Sequence, residues 1–158
     1  MKNILSLFFS LSLVLSLFLP ATVFASNDAN PTYQKIVVNE ETYYLETIIT
    51  ENDPNNSKAS STKTATKTVS YLDADQNTLW SLSVTATFVY DNVNSQCVSC
   101  SHQAISYDSH WIIKSSSSSY SGNSATATAT ATQTDFLWNS HDFTAYVSIY
   151  CSPTGVIS

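Results

Sequence analysis

The chain of 158 residues contains no arginine and only two glycines, Gly122 and Gly155. Without glycine-rich runs, neither a dinucleotide fingerprint nor a phosphate-cradling P-loop can be written. The G-x-S-x-G nucleophile elbow is excluded on the same ground. Without arginine, the chain lacks the preferred bidentate partner of phosphate, and its six lysines face twelve acids. A nucleic-acid partner is therefore not expected, and the acidic balance points only to solubility. No segment after residue 25 shows a 3.6-residue apolar period, which leaves helices without a signal.

The one long apolar run lies at the start. Ile4 to Leu19 is interrupted only by serines, Pro20 follows, and Val23-Phe24-Ala25 offers small residues at the positions read by a signal peptidase. With Lys2 in front, this is the pattern of a secretory signal peptide cleaved between Ala25 and Ser26. The run is short and serine-rich for a membrane span of about 20 residues, so no stable span is expected after cleavage. The mature chain then has 158 − 25 = 133 residues and a net charge of 5 − 12 = −7. It is long enough for one domain with a true core, and it is expected outside the cell.

What the chain has instead is alternation. Trp80, Leu82, Val84, Ala86, Phe88 and Tyr90 share one phase, as do Phe143, Ala145, Val147, Ile149 and Cys151, and residues 125–132 read ATATATAT. Period-two runs rich in β-branched and aromatic residues are half-buried strands. Strands are expected near 33–38, 42–50, 64–72, 78–90, 97–107, 111–120, 125–133 and 143–151, with Asp/Asn turns at 73–77 and 91–96. Residues 26–50 read as an N-terminal hairpin segment, 51–62 as a polar linker and 63–158 as the main domain. Eight short strands in a secreted chain make an all-β, antiparallel β-sandwich, with an immunoglobulin-like arrangement in view and a small barrel as the alternative. The small faces of the Ser/Ala stretch mark a place where two sheets can approach closely.

The hairpin around Gly122-Asn123 offers two registers. A plain two-residue turn pairs Tyr120 with Ala125 and sets the alanine face alongside Lys114. A three-residue loop, or one bulge, sets the alanines on the face of Trp111 and Ile113. The second buries apolar against apolar and is the register expected.

Three cysteines remain. In NSQCVSCSH (94–102), Ser101 separates Cys100 from His102, so the haem motif C-x-x-C-H is not met. A strand context does not lower a thiol pKa as a helix N-terminus does, and no second Cys/His pair stands at zinc spacing. No metal and no cofactor is expected. Phase places Cys97 with Ile105 and Tyr107, and Cys151 with Val147 and Ile149, facing inward, with Cys100 and His102 opposite. This favours a Cys97–Cys151 disulfide and leaves Cys100 a free thiol; Cys100–Cys151 and a local bridge are the alternatives.

His141-Asp142, His110 with Asp108, and the acid pairs Glu40-Glu41 and Asp73/Asp75 read as turn residues, although a Ser/His/Asp set could assemble in space. The stretch 134–142 breaks the alternation with Phe136, Leu137 and Trp138. It either folds over the open end of the sandwich or presents an aromatic surface. Phe136, Trp138 and Tyr120 are the candidate surface-binding residues, and Tyr43, Tyr44 and Tyr150 could extend that surface.

From Thr62 onward the chain resembles a loose group of small secreted proteins of Gram-positive bacteria with no assigned activity. The residues that carry this are LWSLSVTATFVYD (79–91), Cys97, Trp111, SGNSATATA (121–129) and Cys151 followed by SPTG. The resemblance implies secretion, the sandwich and one cysteine in each of two strands, which supports Cys97–Cys151. It implies no mechanism. A secreted, non-enzymatic binding module is expected, with cell-envelope polysaccharide or protein as its partner. An antimicrobial or toxin-like protein acting on another cell's envelope is the alternative, and a small hydrolase is the third reading.

Overall fold

The computed structural model describes residues 30–38, 41–52, 61–134 and 140–158. Eight strands follow one another: β1 (Thr32–Val38), β2 (Glu41–Asn52), β3 (Ser61–Leu72), β4 (Thr78–Tyr90), β5 (Ser95–Ser106), β6 (Trp111–Ser121), β7 (Ser124–Thr134) and β8 (Ser140–Tyr150). All pairings are antiparallel. The first five strands form one sheet in sequence order, and the last three form a second. The protein is thus an antiparallel β-sandwich, with each strand near its expected place.

Two expectations are corrected. Every hydrogen-bonded neighbour is also a neighbour in sequence, so the fold is a meander doubled over between β5 and β6, without the Greek-key crossover of the immunoglobulin arrangement. The N-terminal hairpin is not a separate segment, since β2 pairs with β3 over nine residue pairs. The polar linker expected over 51–62 gives Glu51 and Asn52 to β2 and Ser61 and Thr62 to β3.

The core lies where β4 crosses β7 and β8. Trp80, Leu82, Val84 and Phe88 are fully buried on β4, and Phe143, Ala145, Val147 and Ile149 line β8. Burying each large apolar side chain contributes about 1.5–3 kcal/mol. Between them, β7 turns Ala125, Ala127, Ala129 and Ala131 inward, all buried. Methyl-sized side chains let Cα atoms of β4 and β7 come within 8 Å, against the usual spacing of about 10 Å between stacked sheets. At one end, Tyr71 stacks on Trp80 at 4.2 Å, and Trp111, Phe143 and Tyr43 complete an aromatic cluster. Burial pushes the Tyr71 hydroxyl up to about 12.

Three strands carry one extra residue each, and each extra residue flips the phase beyond it. Tyr71 pairs with Trp80 but Leu72 with Thr78, so Leu79 is the surplus. Phe88 pairs with Cys97 but Thr87 with Ser99, so Val98 bulges. Ile113 pairs with Ala131 but Ser115 with Thr130, so Lys114 bulges. The β6–β7 hairpin therefore resolves as the bulged register. Gly122-Asn123 is a two-residue turn with Tyr120 opposite Ala125, and the bulge at Lys114 still brings Ile113 onto the alanine face.

With glycine scarce, other residues make the turns. Asp73 Oδ1 accepts the N–H groups of Asp75 and Asn77, at 2.9 and 2.8 Å, and Gln76 takes φ 66°. Asp91 Oδ1 accepts those of Val93 and Asn94, at 2.9 and 2.7 Å, while Asn92 takes φ 69°. Past β8, Ser152-Pro153-Thr154-Gly155 forms a turn closed by the Gly155 N–H to the Ser152 carbonyl at 2.9 Å. Gly155 lies at φ 82°, and a Cβ there would strike the ring of Tyr90. Gly122 also has positive φ but faces open space. In urea unfolding, Gly155→Ala is expected to cost about 2–3 kcal/mol, from left-handed strain plus the clash, and Gly122→Ala about 1 kcal/mol from strain alone. Equal losses would contradict the Tyr90 contact.

Candidate functional site

At the aromatic end of the sandwich, the β3–β4 and β5–β6 turns and the start of β2 surround an open cleft of about 460 Å³. It gathers Glu41, Asp73, Asp108 and His110, residues that read in the sequence as separate turns, around Tyr43, Trp111 and Gln133. Several of its polar groups are already engaged. Asp73 holds its own turn, and its Oδ2 also accepts from Asn77 Nδ2 at 3.0 Å. Asp108 Oδ1 accepts the His110 backbone N–H at 2.7 Å and meets His110 Nδ1 at 2.8 Å. The backbone bond, then the ring, holds the Asp108 carboxyl below its usual range. Tyr43 donates to Glu41 Oε2 at 2.5 Å, and Gln133 Oε1 lies 3.1 Å from the same hydroxyl. Burial, then Glu41, pushes the Tyr43 hydroxyl up, which keeps it neutral.

Acyl-transfer chemistry needs a hydroxyl, a histidine and a carboxylate in series. His110 has its carboxylate, and among the described residues its ring is bonded to no hydroxyl. His102 bridges β5 to β6 through Ser118 Oγ at 3.0 Å and Ser116 Oγ at 3.1 Å, with no carboxylate in the chain of bonds. Among the described residues, neither His102 nor His110 is bonded to both a carboxylate and a hydroxyl. Among the described residues, no three His, Cys, Asp or Glu side chains converge as metal ligands.

The cysteines depart from expectation. Cys97 and Cys151 are buried, as their phase required, but all three thiols are free and the Cys97–Cys151 bridge is not formed. The β6–β7 turn separates the two: Gly122 O accepts from Cys97 N at 2.8 Å and Asn123 O from Cys151 N at 3.1 Å. Each thiol points back along its own chain, to Ser99 O at 3.3 Å and Ser152 O at 3.4 Å. Cys100 and His102 do not face away from Cys97. The Val98 bulge turns them onto the inner face, opposite Ala86 and Val84, while Ile105 moves to the outer one. Phase counting fails here because a bulge adds a residue without a period-two signature.

Of the candidate surface residues, Phe136 and Trp138 lie outside the described residues. Tyr120 is 51% exposed, in the inward phase at the rim of β6. Tyr43 is buried, in the aromatic cluster. The outward phase of the three-stranded sheet holds a feature the sequence reading missed. Across β6, β7 and β8, the rows are Ser115–Thr130–Thr144, Ser117–Thr128–Tyr146, Ser119–Thr126–Ser148 and Ser121–Ser124–Tyr150. Every one of these side chains carries a hydroxyl. Thr126 bonds Ser148 at 2.8 Å and Thr130 bonds Thr144 at 3.1 Å. Tyr146 and Tyr150 stand 64% and 48% exposed, about 13 Å apart along β8. Charge appears only at the margin, where Lys114 pairs with Asp142 at 2.8 Å. The signal was present as Tyr146, Ser148 and Tyr150 alternating with Ala145, Val147 and Ile149, but pairing was needed to align the rows.

Two outcomes test this geometry. Asp73, Asp91, Asp108 and Asp142 all have carboxyls held below 3.8 by hydrogen bonds. A folded pKa below the unfolded one stabilises at pH values above the unfolded pKa, and that stability is lost as pH falls through the folded value. Melting temperature is expected to be level above about pH 5 and to drop below pH 4, with a smaller drop in Asp73→Asn/Asp91→Asn. Second, native alkylation is expected to label Cys100 alone, because burial first of all raises the Cys97 and Cys151 thiols and hides them. Unfolding without reductant should add two more labels; a failure to do so would show a bridge.

No protein-family model, curated protein or solved structure matches the chain.

Proposed function

We propose that the mature chain is a secreted, non-enzymatic module that binds a neutral polysaccharide, at the cell envelope or in the medium, on the outer face of its three-stranded sheet. The observation that carries this is the array of hydroxyl side chains with two exposed tyrosines set along β8. A sugar ring offers hydroxyls at its edge and C–H groups on its face. Serine and threonine hydroxyls donate and accept along the edge, and tyrosine supplies a rigid flat apolar face with a polar tip. The array lacks the apolar centre of a protein interface and the cations of a nucleic-acid or anionic-lipid surface. The leader at 1–25 and the resemblance to secreted Gram-positive proteins support the compartment.

Affinity electrophoresis through gels cast with soluble neutral polysaccharides tests the reading. Retardation by at least one is expected for the mature protein. Tyr146→Ala and Tyr150→Ala should each weaken it about tenfold, or about 1.4 kcal/mol, without shifting the melting temperature, because both side chains are exposed. Tyr120→Ala, outside the array, should behave as wild type. Absence of retardation by any such polysaccharide, or retention unchanged by both substitutions, would overturn the proposal.

A further inference from the structure

The five-stranded sheet is wider than its partner, and the surplus lies on one side. β8 packs over β3 and β4, so β1 and the C-terminal half of β2 extend past the free edge of β8, while Tyr43 closes the other end. On the inner face of this overhang, Ile36, Ile49 and Val69 are half-buried against the core. Among them lies Lys67, with Ile49 opposite on β2 and Val84 on β4. Lys63 on the same face is met by Glu51 Oε2 and by the Gly155 carbonyl, at 2.9 and 2.8 Å. Lys67 has no such partner among the described residues, and burial alone lowers its pKa. A half-buried ammonium beside apolar side chains is costly unless a carboxylate meets it.

The adjoining edge of β8 already accepts a strand at one end. Tyr150 exchanges both backbone hydrogen bonds with Ser158, at 2.9 and 3.0 Å, where the C-terminal segment turns back. In an antiparallel ladder, residues of the same parity direct their N–H and C=O groups to the same side. Ser148, Tyr146, Thr144 and Asp142 therefore present theirs beyond β8, with no strand beside them among the described residues.

We infer that the free edge of β8, roofed by the overhanging inner face of β1 to β3, takes up an extended segment of a partner protein as an antiparallel fourth strand, with apolar side chains toward Ile36, Ile49 and Val69 and a carboxylate toward Lys67. Main-chain bonds supply the affinity of such strand addition, and alternate side chains supply its specificity. A second copy of this chain does not fit. Joined edge to edge through β8, its own overhanging sheet would occupy the volume filled by this one. A single strand or hairpin fits because the overhang is two strands wide. This surface is separate from the hydroxyl face, which lies on the other side of the three-stranded sheet.

Fluorescence anisotropy with the mature protein tests it, using a labelled peptide as long as β8 that alternates valine and threonine with one central inward valine changed to glutamate. Saturable binding is expected. Changing that glutamate to lysine should weaken it at least tenfold, and Lys67→Glu should reverse the preference. N-methylation of the peptide nitrogens facing β8 should abolish binding. Absence of binding, indifference to the peptide charge, or binding unaffected by N-methylation would each overturn the inference. The charge comparison uses the unaltered protein, so it holds even where Lys67→Glu fails to fold.

Discussion

The close approach of β4 and β7 governs this molecule. Four alanine methyls on β7 meet Trp80, Leu82, Val84 and Phe88 on β4, so large side chains on one sheet fill the space that small ones leave on the other. Protein interiors are packed at the density of organic crystals, and a sandwich this thin has no slack. A larger residue in place of any of the alanines would force the sheets apart, at a cost of about 1–3 kcal/mol. The need to seat β7 on β4 also explains the bulge at Lys114, which puts Ile113 on the alanine face without moving the Gly122-Asn123 turn.

The same alternation decides the outer surface. When Ala125, Ala127, Ala129 and Ala131 turn inward, Thr126, Thr128, Thr130 and Thr132 must turn outward, and pairing with β6 and β8 sets serines, threonines and tyrosines beside the first three, with Ile112 and Asp142 beside Thr132. The larger sheet repeats the device, with Thr64 bonded to Thr87 and Thr66 to Thr85 across β3 and β4. Neutral hydroxyl faces suit a chain with little charge and no arginine.

Where strands begin and end was legible, because β4, β7 and β8 carry plain alternation and the turns between strands carry Asp and Asn. Asp73 and Asp91 fix their turns by accepting two backbone N–H groups apiece, while Gln76 and Asn92 take the positive φ that glycine takes elsewhere. Burial of Cys97 and Cys151 was legible from phase. The side taken by Cys100 and His102 was not, since a single bulge at Val98 reverses it, and bulges answer to the partner strand. The thiol directions were equally hidden, because they depend on the turn that comes between the two chains.

The end cleft and the overhang belong wholly to tertiary structure. Glu41, Asp73 and Asp108 are far apart in sequence, and the antiparallel pairing of β2 to β5 brings them to one end of the larger sheet, where the second sheet adds Trp111 and Gln133. Lys67 reads in sequence as one more polar residue in a threonine-rich strand; pairing with Ile49 and Val84 places it on the inner face. The amino-acid order by itself determined an all-β chain, the position of each strand and which side chains are buried along most of them, since period two is a local property of the backbone. Strand order, bulges, the unequal widths of the two sheets and the alignment of hydroxyls into rows were decided by packing. They arise from how strands distant in sequence share one thin core.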